Sequence, residues 1–259
     1  MRMSTLLVSP GPVTTVTLNR PDVRNALNEE LIRELTDWAR SVREGGPVRV
    51  AVLQGAGAVF CAGADLNWMS KVVGYSREEN LADVRQAAEL YRALDSLPVP
   101  LIGRIHGAAL GGGAGLAAVC DVVIATHDTM FGFTEVTLGI VPATISPYVV
   151  RKIGLAAARD LCLSGGRFPA GRAEEIGLVQ ELADPNALDE AVDRHVDQFL
   201  KGAPSAIAAT KRLLREVHGR RPDDVAELTV EALATQRTSP EGQEGMRAFL
   251  EKRKPSWAK

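Results

Sequence analysis
Cysteine is scarce in this chain of 259 residues. Only Cys61, Cys120 and Cys162 occur, an odd number with no C-x-x-C spacing. A disulfide framework is therefore not expected, and reduced thiols in a cytoplasmic protein are. An excess of one charge is lacking too: 30 Lys and Arg face 32 Asp and Glu, for a formal net charge of -2. So balanced a chain has no general electrostatic attraction to nucleic acid or to an anionic membrane. No run approaches the ~18 continuous apolar residues of a membrane span. Met1 to Arg20 shows no cationic head before an apolar block, so no secretory leader is expected.

Several chemical signatures are missing as well. Gly111-x-Gly113 is followed by Leu116 where a dinucleotide fingerprint needs its third glycine. No G-x-x-x-x-G-K-S/T and no G-x-S-x-G occurs, which removes the P-loop and the hydrolase elbow. His106, His127, His195 and His218 fall in no ligand spacing, and Cys120 with His127 does not make a zinc site. No metal site is expected.

What is present is an ordinary globular composition, 46% hydrophobic and 24% charged, enough for a sizeable core. Strand-like runs at Val13–Leu18, Val48–Leu53, Leu101–Ile105 and Asp121–Ala125 alternate with helical patterns at 25–42, 76–97 and 112–118. That alternation predicts an α/β architecture with parallel pairing. After Pro147 the strand signal fades, and 149–153, 155–163, 170–176, 187–200, 205–217, 223–236 and 240–252 all read as helices. The expected division is a catalytic core over residues 1–200 and a helical oligomerisation region over 201–259.

Two features carry chemistry. The run Gly111-Gly112-Gly113-Ala114-Gly115 follows a strand-like segment and opens a helix, whose first N–H groups have no intrahelical partners. Twenty residues on, Glu135 sits among Phe131, Phe133, Val136, Leu138, Ile140 and Val141. A carboxylate desolvated by such neighbours has a raised pKa and suits a proton shuttle. Asp65, after the turn Ala62-Gly63-Ala64, is placed to cap a helix beginning near Leu66.

Taken together the motifs resemble the enoyl-CoA hydratase/isomerase (crotonase) family. The likeness runs through Asn19-Arg20-Pro21, Asn25-Ala26-Leu27, Phe60-Cys61-Ala62-Gly63-Ala64-Asp65-Leu66 and Gly107 to Gly113. It continues through Cys120-Asp121, Glu135, Leu138 to Pro142, and Glu244 to Arg253. Locally, Cys61–Met69 and Thr134–Tyr148 look like the bacterial methylglutaconyl-CoA-type hydratases. The resemblance implies a ClpP-like spiral of ββα units with a C-terminal helical trimerisation region, assembling trimers or dimers of trimers. It implies an acyl-CoA thioester substrate and no separate cofactor, coenzyme A being part of the substrate.

By position it implies Ala64 and Gly112 as main-chain donors to the thioester oxygen and Glu135 as acid/base. Arg24, Ala26, Ala62, Asp65, Leu66, Trp68 and Gly111 fall in the substrate-binding segments. Phe249 and Lys252 fall where a neighbouring subunit meets the nucleotide end. Trp68, Met69 and Tyr148 are candidate acyl-pocket walls, and Lys71, Arg85 and Arg92 candidate partners for a second substrate carboxylate. One departure stands out: two-glutamate hydratases carry their first glutamate where this chain has Gly115, which reads as a gap beside Glu135. The implied reaction is hydration of a 2,3-enoyl-CoA in fatty or branched-chain acyl-CoA breakdown. Isomerisation, decarboxylation and CoA-thioester binding with weak catalysis are the alternatives.

Overall fold
β-Branched and aliphatic runs form the central strands, as their composition requires. The computed structural model describes residues 4–258; expectations resting on Met1–Met3 or Lys259, including part of the Met1–Arg20 reading, lie outside them. In chain order the strands are β1 (Leu6–Ser9), β2 (Val13–Leu18), β3 (Val50–Gly55), β4 (Leu101–Ile105), β5 (Ala108–Leu110), β6 (Val122–Thr126), β7 (Met130–Gly132), β8 (Arg167–Pro169) and β9 (Glu181–Ala183). The helices are α1 (Glu29–Ser41), α2 (Leu66–Val72), α3 (Arg77–Asp95), α4 (Gly112–Val119), α5 (Ser146–Ser164), α6 (Ala170–Glu175), α7 (Leu188–Leu200), α8 (Pro204–Val217), α9 (Ala226–Thr238) and α10 (Pro240–Leu250).

One sheet has the order β1-β2-β3-β4-β6-β9, and a small second sheet the order β5-β7-β8. Registered rows tie the large sheet together: Val16 faces Leu53, Leu53 faces Gly103, and Gly103 faces Val123. Val16, Leu53 and Val123 are fully buried on the face covered by α1, α3 and α4. A Cβ on Gly103 would stand 3.1 Å from Cys120 Sγ, so the glycine lets α4 settle closely onto the sheet. The opposite face, with Val50, Val52, Ile102 and Ile124, is covered by Leu188, Ala191, Val192 and Val196 of α7. Central strands buried on both faces read as continuous apolar runs, which is why β3 and β4 are recognisable from sequence.

The structure corrects three expectations. Pairing is mixed, since β1 meets β2 and β7 meets β8 antiparallel. Strands continue past Pro147: β8 extends the second sheet, and β9 forms the far edge of the first. The helix expected from Asn25 begins at Glu29, because Asn28 caps it by accepting from Leu31 N–H, while Asn25 has φ 55°. Glu135 stands at the start of a 3₁₀ turn, Glu135–Leu138. The two helices read over 149–163 are present as α5, broken at Gly154 with φ 74°.

Candidate active site
Three segments distant in sequence are knitted by main-chain bonds. Cys61 N–H donates to Ala108 O (3.0 Å), and Leu110 N–H returns to Cys61 O (3.0 Å), holding the 61–65 turn along β5. On the turn's other side, Ala62 N–H donates to Arg24 O (3.0 Å), Leu27 N–H to Gly63 O (2.7 Å) and Asp65 N–H to Leu27 O (2.9 Å). Gly63 has φ +100°, and a Cβ there would stand 3.0 Å from Leu110 O, so glycine is required by both conformation and space. Gly111 then donates to Gly132 O at 2.8 Å and turns the chain into α4. Among the described residues, the N–H groups of Ala64 and Gly112 have no acceptor: Ala64 lies outside regular structure and Gly112 is the first residue of its helix.

Asp65 locks this corner. Its carboxylate is 3% exposed, accepts from the N–H groups of Asn67 (2.8 Å) and Trp68 (3.2 Å), and pairs with Arg20 at 2.8 Å. Burial opposes its charge, but the Arg20 guanidinium and the two amides prevail and hold its pKa below the ordinary aspartate value. Arg20 also donates to Ala26 O, and its own N–H reaches the buried Asn25 at 2.9 Å. Asn25 in turn donates to Ala56 O (2.7 Å) and Val59 O (2.8 Å). The helix cap expected of Asp65 is therefore present. The structural work of Arg20 and Asn25 was signalled in the sequence only by the family motifs Asn19-Arg20-Pro21 and Asn25-Ala26-Leu27.

A cleft of about 500 Å³ opens on this corner. Arg24, Ala26, Ala62, Ala64, Asp65 and Leu66 all line it, with Leu110 continuing the wall toward Gly111. Arg167 lines it as well, a cation that sequence reasoning missed because it stands on the unforeseen strand β8. Neither Arg24 nor Arg167 forms an ion pair among the described residues. Trp68 is not in the cleft wall: it is half-buried against the core, with Nε1 donating to Asp83 at 3.0 Å. Phe249, 83% exposed, and Lys252 stand at the end of α10, which packs on α8 and α9 and not on the cleft of its own chain. Of the other cations considered, Lys71 pairs with Glu29 and Arg92 with Glu89.

Glu135 stands just past Leu110, against Gly111: its Oε1 is 3.5 Å from where a Gly111 Cβ would be. Its Oε2 is buried without a hydrogen-bond partner among the described residues. Burial drives its pKa above the ordinary carboxylate value, opposed in part by its own backbone amide. The desolvating neighbours differ from those expected. Leu138, Ile140 and Val141 point outward, at 56%, 55% and 70% exposed.

Gly115 is not a gap. A Cβ there would lie 2.2 Å from Ile145 Cγ2, 2.9 Å from Ile145 Cβ and 3.1 Å from Tyr91 Cε1. The space belonging to a side chain at 115 is already filled by Ile145 and Tyr91. Tyr91 in turn packs on Tyr148, their ring centroids 6.2 Å apart.

Both the sheet arrangement and the cleft are those of an α/β crotonase fold, the fold of a hydratase-like lyase. The chain belongs to the enoyl-CoA hydratase/isomerase family, whose model matches residues 9–259. It is 34% identical over 265 residues to the 2,3-dehydroadipyl-CoA hydratase of Escherichia coli (strain K12), covering 98% of this chain and 99% of that one. The crystal structure of an enoyl-CoA hydratase from Shewanella pealeana ATCC 700345 superposes with a TM-score of 0.95 at 38% identity, over 99% of this chain and 97% of that one. Pseudomonas aeruginosa AtuE gives a TM-score of 0.95 at 40% identity, over 99% and 100%.

Proposed function
We propose that the chain adds water across the 2,3-double bond of an enoyl-CoA thioester, using Glu135 for both proton movements. The observation that carries this reading is the buried, unpartnered Oε2 of Glu135 beside a helix start whose Gly112 N–H is also unpartnered. An isolated carboxylate held above its ordinary pKa is a stronger base than a solvated one and can accept and return a proton. In the forward step Glu135 takes a proton from water as the oxygen attacks C3. Electrons pass through the double bond to the thioester oxygen, giving an enolate. Glu135 then returns the proton to C2, so one water is added and the carboxylate is regenerated. A single carboxylate serves C2 and C3 from one face, which makes the addition syn.

The Ala64 and Gly112 amides form the oxyanion hole for that enolate. Each such donor is typically worth ~3 kcal/mol in the transition state. Gly112, at a helix start, adds the favourable end of the helix dipole. CoA lies in the cleft past Ala62, Ala26 and Leu66, where Arg24 and Arg167 meet its phosphates. Phe249 and Lys252 of a neighbouring subunit complete the nucleotide site in a trimer or dimer of trimers.

Replacing Glu135 by Gln tests the reading. Hydration of crotonyl-CoA should fall at least ~100-fold with CoA-thioester binding retained; near-normal turnover would refute it. A second reading is favoured by the closure at Gly115, which leaves one carboxylate: Δ3-Δ2-enoyl-CoA isomerisation moves a proton between carbons and needs no water. Product analysis on 2-enoyl- and 3-enoyl-CoA thioesters separates the two.

A further inference from the structure
Gly111, Gly112 and Gly113 have no side chains, so hydrogen bonds to their main chain set their peptide planes. Gly111 N–H donates to Gly132 O at 2.8 Å, and Gly115 N–H donates to Gly111 O at 3.0 Å, on the peptide plane that carries the Gly112 N–H. One side-chain hydrogen bond reaches the run among the described residues. It comes from Tyr91, whose Oη donates to Gly112 O at 3.0 Å.

The placement of Tyr91 is unusually constrained. It stands in the C-terminal half of α3 and is 2% exposed. Its Oη is 2.8 Å from where a Gly112 Cβ would be, and its Cε1 is 3.1 Å from the corresponding point on Gly115. Positions 112 and 115 are three apart and share a face of α4, so the tyrosine ring lies along the helix's first turn. Leu27 closes on Gly112 as well, with Cδ1 2.7 Å from the same Cβ point. Burial, with Cys61 and Glu135 nearby, pushes the phenol pKa up, so Tyr91 stays protonated and keeps donating.

We propose that Tyr91 is a positioning residue for the Gly112 donor: its hydroxyl pins the Gly112 carbonyl, the plane that follows the donor, while Gly115 holds the plane of the N–H itself, so Gly112 is fixed from both sides of its Cα with its N–H on the thioester oxygen. This rests on the hydratase reading above. Because the donor interacts most strongly once the oxygen carries negative charge, loss of the pin falls on kcat and not on substrate binding.

The test compares wild type, Tyr91→Phe and Glu135→Gln as full-length proteins. Tyr91→Phe removes one oxygen and keeps the ring that fills the space beside Gly115. Steady-state hydration of crotonyl-CoA is measured alongside exchange of the C2 protons of butyryl-CoA in heavy water. That exchange breaks a C2–H bond, passes the proton to Glu135 and returns a deuteron, so it reports enolate formation without water addition. For Tyr91→Phe, kcat and the exchange rate are each expected to fall about tenfold, with KM within about twofold and the pH profile unmoved. Amide exchange over residues 108–116, read by mass spectrometry, should be faster than in wild type. A kcat within about twofold of wild type, a loss confined to KM, or unchanged amide protection over 108–116 overturns the proposal. Glu135→Gln separates the two claims. If it is active, the hydratase reading itself fails; if it is inactive while Tyr91→Phe matches wild type, only the role of Tyr91 fails.

Discussion
Ile145 occupies the volume that a side chain on Gly115 would need: its Cγ2 lies 2.2 Å from the point where a Gly115 Cβ would stand. Ile145 is 2% exposed at the start of α5 and belongs to the main hydrophobic core. A family position that carries a second glutamate elsewhere is here part of the packed core.

Gly115→Glu therefore should not restore a two-carboxylate hydratase. Overpacking of this kind costs about 1–3 kcal/mol, and the added carboxylate enters an apolar contact. Thermal unfolding should show a lowered Tm, and crotonyl-CoA hydration should not rise. A stable Gly115→Glu variant with increased turnover would show that Ile145 yields after all.

The pH dependence of Glu135 follows from the direction of its shift. Under the proposed role as a base it must be ionised, so kcat should fall on acidification along a limb lying above the ordinary glutamate value of 4.5. The sign for stability is opposite to that of a salt-bridged acid. With its folded pKa raised, Glu135 ionises more readily in the unfolded chain. Stability is therefore lost as pH rises from the ordinary value through the folded one. Glu135→Gln should unfold at a higher temperature than wild type at neutral pH, and the difference should vanish in acid. Equal Tm values at pH 7 would argue against the burial penalty.

Asp65 behaves the other way. Its pKa is held down in the folded state, so its stabilisation is fully present above the ordinary aspartate range and lost as pH falls through the folded value. Asp65→Ala strips the cap from α2 and leaves Arg20 without its carboxylate. The expected cost is about 3 kcal/mol, on the order of 6–12 °C in Tm. Because the lost carboxylate anchors the turn that carries Ala64, kcat should fall along with Tm. Calorimetry with parallel kinetics checks both.

Lys252→Ala and Phe249→Ala test the assembly. Both side chains stand away from the cleft of their own chain, so they can matter to catalysis only across a subunit boundary. Each variant should raise the KM for a CoA thioester several-fold and leave kcat within about twofold. An unchanged KM in an intact oligomer would remove them from the nucleotide site.

The central sheet was legible because β2, β3, β4 and β6 are long enough for their apolar and β-branched runs to stand out. β5, β7, β8 and β9 are three residues each, and β8 ends in Pro169; pairing to neighbours, not composition, makes them strands. At the site, Asp65 announced its cap through local spacing, and Glu135 was singled out by the apolar residues around it in the sequence. The neighbours that desolvate Glu135 could not be read from the adjacent sequence, because a 3₁₀ turn sends Leu138 and Ile140 outward. Gly115 showed only that a side chain was missing. That Ile145 and Tyr91 fill the space depends on α5 and α3 meeting α4, a relation between distant segments that no local pattern contains.

The unpartnered N–H groups at Ala64 and Gly112 belong to the main chain, which bears on how such a protein can diversify. A point mutation changes side chains, and only proline deletes an N–H. The hydrogen bonds that hold the two segments together are likewise mostly between backbone atoms. Inherited change can therefore reshape the cleft walls while these N–H groups persist. A lineage built on this frame carries them forward whatever happens to the side chains around them.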